Sequence, residues 1–133
     1  MLLDSTVVVD LLRGHTATVE RVRSLQAAGD LLFTCAIVAD EVTSGLRPRE
    51  RDAANALFEG LAVAPLGIAE GRLAGWWRQR YRSRGRTLSQ ADALIAAAAV
   101  GIGARLATSN TKDFPMSEVT LEPWADAPQR RSS

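Results

Sequence analysis

The stretch Leu2-Leu3-Asp4-Ser5-Thr6-Val7-Val8-Val9-Asp10-Leu11-Leu12-Arg13-Gly14 decides how this chain folds. Two leucines read as the end of a short buried strand. An acid and two hydroxyl residues then suit a helix N-terminus, Val7 to Arg13 continue as the helix, and Gly14 stops it. A strand therefore delivers Asp4 to its carboxyl end, directly in front of a helix. The same punctuation recurs outward from there. A helix is predicted over about Thr18 to Ala28, with Val19, Val22 and Leu25 at helical spacing and Gly29 closing it. Leu31-Leu32-Phe33 reads as a second strand and Thr34 as the cap of a helix over Ala36 to Leu46. Pro48 opens another helix to about Leu61, and Leu61-Ala62-Val63-Ala64 is a weak strand. Ile68 to Tyr81 and the Ala-rich Ser89 to Gly101 are helical, Arg105 to Thr108 is a strand, and Thr120-Leu121-Glu122 is a last edge strand. Strands alternating with helices predict an α/β domain with a short-stranded, mainly parallel central sheet flanked by helices. In such sheets the functional crevice lies at the carboxyl ends of the strands.

The chain has 133 residues, enough for one domain and one core, and its 47% hydrophobic and 23% charged residues argue against a disordered or fibrous protein. The domain is expected over 1–124, with a flexible, polar C-terminal tail over 125–133. No apolar run is long enough to span a membrane, and the acid at position 4 comes too early for a signal peptide, which points to the cytoplasm. One cysteine, Cys35, excludes an internal disulfide, and one histidine, His15, removes most zinc sites and His-based triads. Any catalysis falls to carboxylates. Net charge is +1, yet residues 1–70 carry 10 acids against 6 bases and residues 71–133 carry 10 bases against 5 acids. All the bases but Lys112 are arginines. Arginine's planar fork suits phosphate, although a codon bias toward arginine explains the composition equally well.

Four acids stand out. Asp4 follows a strand and precedes a helix, where the helix dipole alone favours an acid. Glu41 falls beside the apolar stripe of its helix, three residues after Val38 and four after Ile37, whereas Asp40 turns about 100° away to the surface. Asp92 has capping-box spacing from Ser89, but the small, apolar Ala93 to Ala99 that follows predicts a buried helix whose first-turn acid faces a cleft. Asp113 follows a strand and the polar turn Ser109-Asn110-Thr111-Lys112. All four can converge on one crevice. Carboxylates about 4 Å apart repel by roughly 4 kcal/mol per pair at an effective dielectric near 20, so such a cluster calls for a hard cation. Oxygen-only ligation without His or Cys points to Mg²⁺ or Mn²⁺, and a magnesium–carboxylate site beside arginines suits phosphodiester chemistry.

The opening stretch, Ala39-Asp40-Glu41 to Gly45, Asp92-Ala93-Leu94-Ile95-Ala96-Ala97, and Leu106-Ala107-Thr108-Ser109-Asn110-Thr111-Lys112-Asp113-Phe114 together resemble the PIN-domain ribonucleases of the VapC toxin family, over residues 2 to about 124. The resemblance implies a PIN-like three-layer sandwich and a Mg²⁺-dependent endoribonuclease, the toxin of a bacterial toxin–antitoxin pair. It carries the family's three acids onto Asp4, Glu41 and Asp92, and a fourth onto Asp113. Asp4 and Asp92 become the main metal ligands. It places supporting hydroxyls at Ser5, Thr6 and Thr108, and leaves Asn110 where other members have their fourth acid. It also implies a VapB-type antitoxin lying across the early helices, a homodimer, and structured RNA, transfer RNA among the candidates, as substrate.

Trp76-Trp77 followed by Arg78, Arg80, Arg82, Arg84 and Arg86 forms a candidate RNA-facing surface, because guanidinium groups hold phosphates and indoles stack on unpaired bases. One tryptophan packed in the core beside a solvated helix end accounts for the same pattern. Other functions compete with the nuclease. A phospho-acceptor domain needs adjacent acids after the first strand, and a haloacid-dehalogenase-like phosphatase needs Asp-x-Asp there; Asp4-Ser5-Thr6 satisfies neither. A catalytically idle PIN-fold module binding RNA or protein remains the alternative, and metal-dependent cleavage separates the two.

Overall fold

The computed structural model describes residues 1–125; the predicted tail, apart from Ala125, lies outside the described residues. Five short strands form one sheet: β1 (Leu2–Leu3), β2 (Phe33–Thr34), β3 (Ala62–Val63), β4 (Leu106–Thr108) and β5 (Leu121–Pro123). They lie in the order β3-β2-β1-β4-β5, with every neighbouring pair parallel. Among the described residues six α-helices flank the sheet: α1 (Ser5–Leu12), α2 (Thr16–Ala27), α3 (Ala36–Ser44), α4 (Arg51–Glu59), α5 (Ile68–Arg82) and α6 (Gln90–Gly101). This is the α/β architecture, a short-stranded parallel sheet flanked by helices, that the strand–helix alternation predicts.

Most element ends shift by one or two residues from expectation, and two of the differences have a local cause. β2 takes Phe33-Thr34 in place of Leu31-Leu32-Phe33, because Leu2 pairs with Phe33, and Cys35 rather than Thr34 occupies the helix-capping position. The helix expected from Pro48 to Leu61 begins as a 3-10 turn, Pro48–Glu50, and becomes α-helical at Arg51. Proline tolerates that first turn because it has no N–H to lose there.

The strands contain two or three residues each, so the sheet depends on what covers it. Leu2, Leu3, Leu106 and Ala107 are fully buried, and a buried leucine side chain contributes about 1.5–3 kcal/mol. α6 supplies much of the cover, with Ala93 and Ile95 to Ala99 all buried, and its alanines let neighbouring backbones approach closely. On α5, Trp77 packs into the core at 0% exposure, while its neighbour Trp76 is 61% exposed. Of the two sequence readings of that pair, one core and one surface tryptophan is the observed one.

From β1 the chain steps outward through β2 to β3, then crosses back to place β4 on the other side of β1. That reversal opens a crevice between the carboxyl ends of β1 and β4, where open parallel sheets bind ligands.

Candidate active site

Asp4 leaves β1 at that crevice and serves as the N-cap of α1. Its Oδ1 accepts from the N–H groups of Thr6 and Val7 at 3.1 and 3.2 Å, and from the Thr6 hydroxyl at 2.6 Å. The Thr108 hydroxyl, at the end of β4, also bonds this carboxylate. The capping role and the cleft role therefore belong to one side chain. Asp4 is only 4% exposed. Burial pushes its carboxyl above the ordinary aspartate range, and the bonds from Thr108, Thr6 and Val7 pull it back part of the way.

The hydroxyls extend outward. Ser109 Oγ donates to Thr6 Oγ1 at 3.0 Å, and the Asn110 N–H donates to Thr108 Oγ1 at 3.0 Å, so the turn after β4 is tied to the Asp4 cap. Ser5 Oγ donates to Glu41 Oε1 at 2.5 Å across to α3. Glu41 itself is exposed, at the mouth of the cleft. The apolar stripe of α3 puts Val38 and Val42 inside and leaves Glu41 on the rim, so it escapes the desolvation cost expected from its spacing. Asp40 is exposed and does not line the cleft, the surface position that its 100° turn from Glu41 predicts.

Asp92 opens α6. The Ser89 hydroxyl accepts from the Asp92 N–H at 3.0 Å, which is the capping half of the motif, while the Asp92 carboxylate lines the cleft. Its pKa is raised, first by burial and then by repulsion from Asp113, Glu41 and Asp4, partly offset by Ser89. Asp92 therefore senses the other three acids.

Together Asp4, Ser5, Thr6, Glu41, Asp92, Ile95, Asn110, Asp113 and Phe114 line one cleft of about 210 Å³. Every acid singled out from the sequence converges there. Asn110 and Asp113 both reach the cleft, and Asp113 is the one whose charge Asp92 feels most. Among the described residues no three His, Cys, Asp or Glu side chains are already gathered closely enough to hold a metal. The donors nevertheless fit a hard cation: they are carboxylate oxygens, two of them disfavoured in their charged form by burial, and an ion between them relieves both penalties.

Sequence reasoning missed three contributors. Ser109 has no motif value by itself, and its link to Thr6 comes from the pairing of β1 with β4. Ile95 was visible as the residue one helical turn after Asp92, and Phe114 as the apolar neighbour of Asp113. The arginines divide. Arg80 pairs with Glu118 and Arg86 donates to the Lys112 carbonyl. Arg84 lies 5.8 Å from the Tyr81 ring centroid, and Arg78 and Arg82 sit on α5. Arg78, Arg80 and Arg82 are spread around the circumference of α5, and Arg84 and Arg86 lie in the turn beyond it.

A PIN-domain family model matches residues 1–118. Ribonuclease VapC19 of Mycobacterium tuberculosis is 34% identical over 115 residues, covering 86% of this chain and 92% of the relative. Ribonuclease VapC10 of the same species is 34% identical over 125 residues, covering 94% and 93%. Among solved structures, VapBC2 from Rickettsia felis bound to a promoter DNA fragment superposes with a TM-score of 0.82 at 21% identity, over 92% of this chain and 97% of that one. DNA-bound VapBC from Salmonella typhimurium gives 0.81 at 19% identity, over 93% and 97%.

Proposed function

This chain belongs to the PIN-domain family, among the VapC ribonucleases, and on that premise we propose that it is the toxin of a VapBC pair, a Mg²⁺-dependent endoribonuclease that cuts structured RNA, transfer RNA first among the candidates. The observation that carries this reading is the convergence of Asp4, Glu41, Asp92 and Asp113 on one cleft at the sheet's switch point. Asp4 and Asp92 would be the main ligands of Mg²⁺, with Mn²⁺ as a substitute, and Glu41 and Asp113 would complete the set. The bound ion would supply an activated water and neutralise charge on the phosphodiester.

The chain's own residues do the positioning. Three donors fix Asp4 Oδ1, which sets the plane of its carboxylate at the cleft. Ser5 holds Glu41 at the rim. Thr108 and Asn110 anchor the turn that brings Asp113 forward. Ile95 and Phe114 give the cleft an apolar wall that limits water around the charges.

The partner is a VapB-type antitoxin. A cleft of about 230 Å³ between α3 and α4, with Leu46 and Phe58 beside Arg47 and Arg51, supports the docking of an apolar and acidic segment there. On the early helices Val22 is buried in the core, whereas Ala53 and Ala56 of α4 are exposed and available to a partner. The exposed Trp76 and Ile68 on α5 support a homodimer. No helix among the described residues is long and apolar enough to cross a membrane. Action on RNA in the cytoplasm is part of the same proposal.

The test is direct. Purified chain, free of antitoxin, is incubated with total bacterial RNA in Mg²⁺ or EDTA, beside Asp4→Asn, and new 5′ ends are mapped. Discrete cuts that need metal and vanish in Asp4→Asn are expected. Their absence from folded, metal-bound wild type favours the idle binding module.

A further inference from the structure

The arginine-rich turn between α5 and α6 reaches back to the segment that carries Asp113. Arg86 Nη2 donates to the backbone carbonyl of Lys112, the residue immediately before Asp113. Tyr81 OH donates to the Pro115 carbonyl at 3.0 Å, two residues after it. Farther along, Arg80 forks onto Glu118, with both terminal nitrogens 3.2 Å from Oε2. These contacts join residues 26 to 38 positions apart, so they are tertiary ties rather than local turn bonds.

The geometry of α5 makes the reach possible. Gly85 takes φ 78°, a conformation strained for any residue with a Cβ, and the N–H groups of Arg84 and Arg86 both bond the Tyr81 carbonyl, at 3.0 and 2.9 Å. The chain folds back on the helix end, and Arg86 points at Lys112. The segment it grips has little structure of its own. Only the 3-10 turn Thr111–Asp113 is regular between β4 and β5. Phe114 and Met116 anchor the segment's far side in the core, whereas Thr111 and Lys112, the two residues before Asp113, are exposed and open readily unless something pins them.

We propose that Arg86 and Tyr81, with Arg80 as an outer tie, are positioning residues that hold Asp113 at the cleft, so that the cation affinity of the site depends on the turn after α5. The inference rests on the four acids being a metal site. It also gives the arginines different roles, since Arg86 is committed to a carbonyl and is not part of the RNA contact.

The experiment titrates full-length chain with Mn²⁺ alone by calorimetry, and follows amide exchange of residues 112–118 without metal. Arg86→Ala is expected to weaken Mn²⁺ binding about tenfold, the scale found when a residue supporting a ligand is lost. Tyr81→Phe, a gentler change that keeps the ring, is expected to weaken it about threefold. Arg86→Lys, which keeps one donor, recovers part of the loss. In an Asp113→Asn background Arg86→Ala adds nothing further, because both act through one ligand. RNA binding by Arg86→Ala in EDTA keeps the wild-type salt slope.

Additive losses in the double variant, a shallower salt slope, or unchanged amide exchange at 112–118 in Arg86→Ala each overturn the proposal. So does unchanged Mn²⁺ affinity of Arg86→Ala where Asp113→Asn is weakened. Failure of wild type itself to bind Mn²⁺ overturns the metal-site reading instead, and the exchange measurement then still decides whether the clamp exists.

Discussion

The two walls of the cleft are built in opposite ways. The Asp4 wall is made within one strand-to-helix step: β1 ends, Asp4 caps α1, and residues two and three positions later supply the donors that lock Oδ1. The Asp113 wall is an irregular segment anchored in the core by Phe114 and Met116, and its long-range hydrogen bonds come from α5 and the turn after it, far away in sequence. The first acid is buried and the last is half-buried. One acid is thus placed by the folding of its own peptide, and the other waits for a distant helix to be packed. Changes near the first should remove function outright, and changes around the second should grade it.

The largest expected effect is at Asp4. Asp4→Asn keeps a good N-cap and so the fold, but removes the charge, and cleavage in the RNA assay should fall at least about a thousandfold. Residual activity near wild type would mean that the buried wall is not the centre of the chemistry. Thr6→Val comes next. It removes the 2.6 Å bond to Asp4 and strands Ser109, and turnover is expected to drop by roughly ten- to thirtyfold with the melting temperature little changed. An equal effect from Ser5→Ala would erase the distinction between the buried and the rim acids.

The acids also set a pH dependence. Asp4 and Asp92 hold protons more tightly folded than unfolded, so without metal their destabilising effect is absent below the unfolded aspartate value of about 3.9 and grows as pH rises through their elevated folded values. Metal-free chain should therefore lose stability over that interval. Asp92→Asn should melt above wild type at neutral pH without metal, and Mn²⁺ should raise the melting temperature of wild type more than that of the variant. Thermal melts at several pH values, with and without Mn²⁺, measure this; a flat profile would remove the repulsion between the walls. The smallest effect is expected at Gly85→Ala. Forcing a Cβ into the left-handed region costs about 1–2 kcal/mol. The loss should appear as a modest fall in melting temperature together with weaker Mn²⁺ binding, whereas Gly29→Ala, at φ 91° and outside the cleft lining, should lower stability alone.

Most of the Asp4 wall was legible from residues 2 to 14, because strand, cap and helix are local events written in adjacent side chains. α6 was equally plain, since a run of small apolar residues after a Ser cap has few other uses. Strand β2 was misplaced by about a residue: Leu31-Leu32-Phe33 is the more apolar stretch, but pairing with β1 selects the register, and Leu31 ends 63% exposed. Glu41 was found for its spacing, yet its exposure depends on how α3 is rotated against α1. The period-two arginines carried the least information. Guanidinium groups serve phosphates, carboxylates and carbonyls alike, and nothing in Arg78 to Arg86 tells which partner each one meets.

The sequence by itself determined the alternation of strands and helices, the acid at the end of β1, the buried Ala-rich helix, and the choice of Asp4, Glu41, Asp92 and Asp113 as the acids of the cleft. Each follows from hydrophobic periodicity, capping and side-chain chemistry, which act over a few residues. Only the tertiary structure decided that β4 crosses back beside β1, that Ser109 meets Thr6, and that Arg86 and Tyr81 grip the chain around Asp113. Those outcomes join residues 26 to 104 positions apart, where specificity comes from packing the whole core and no local preference can encode it.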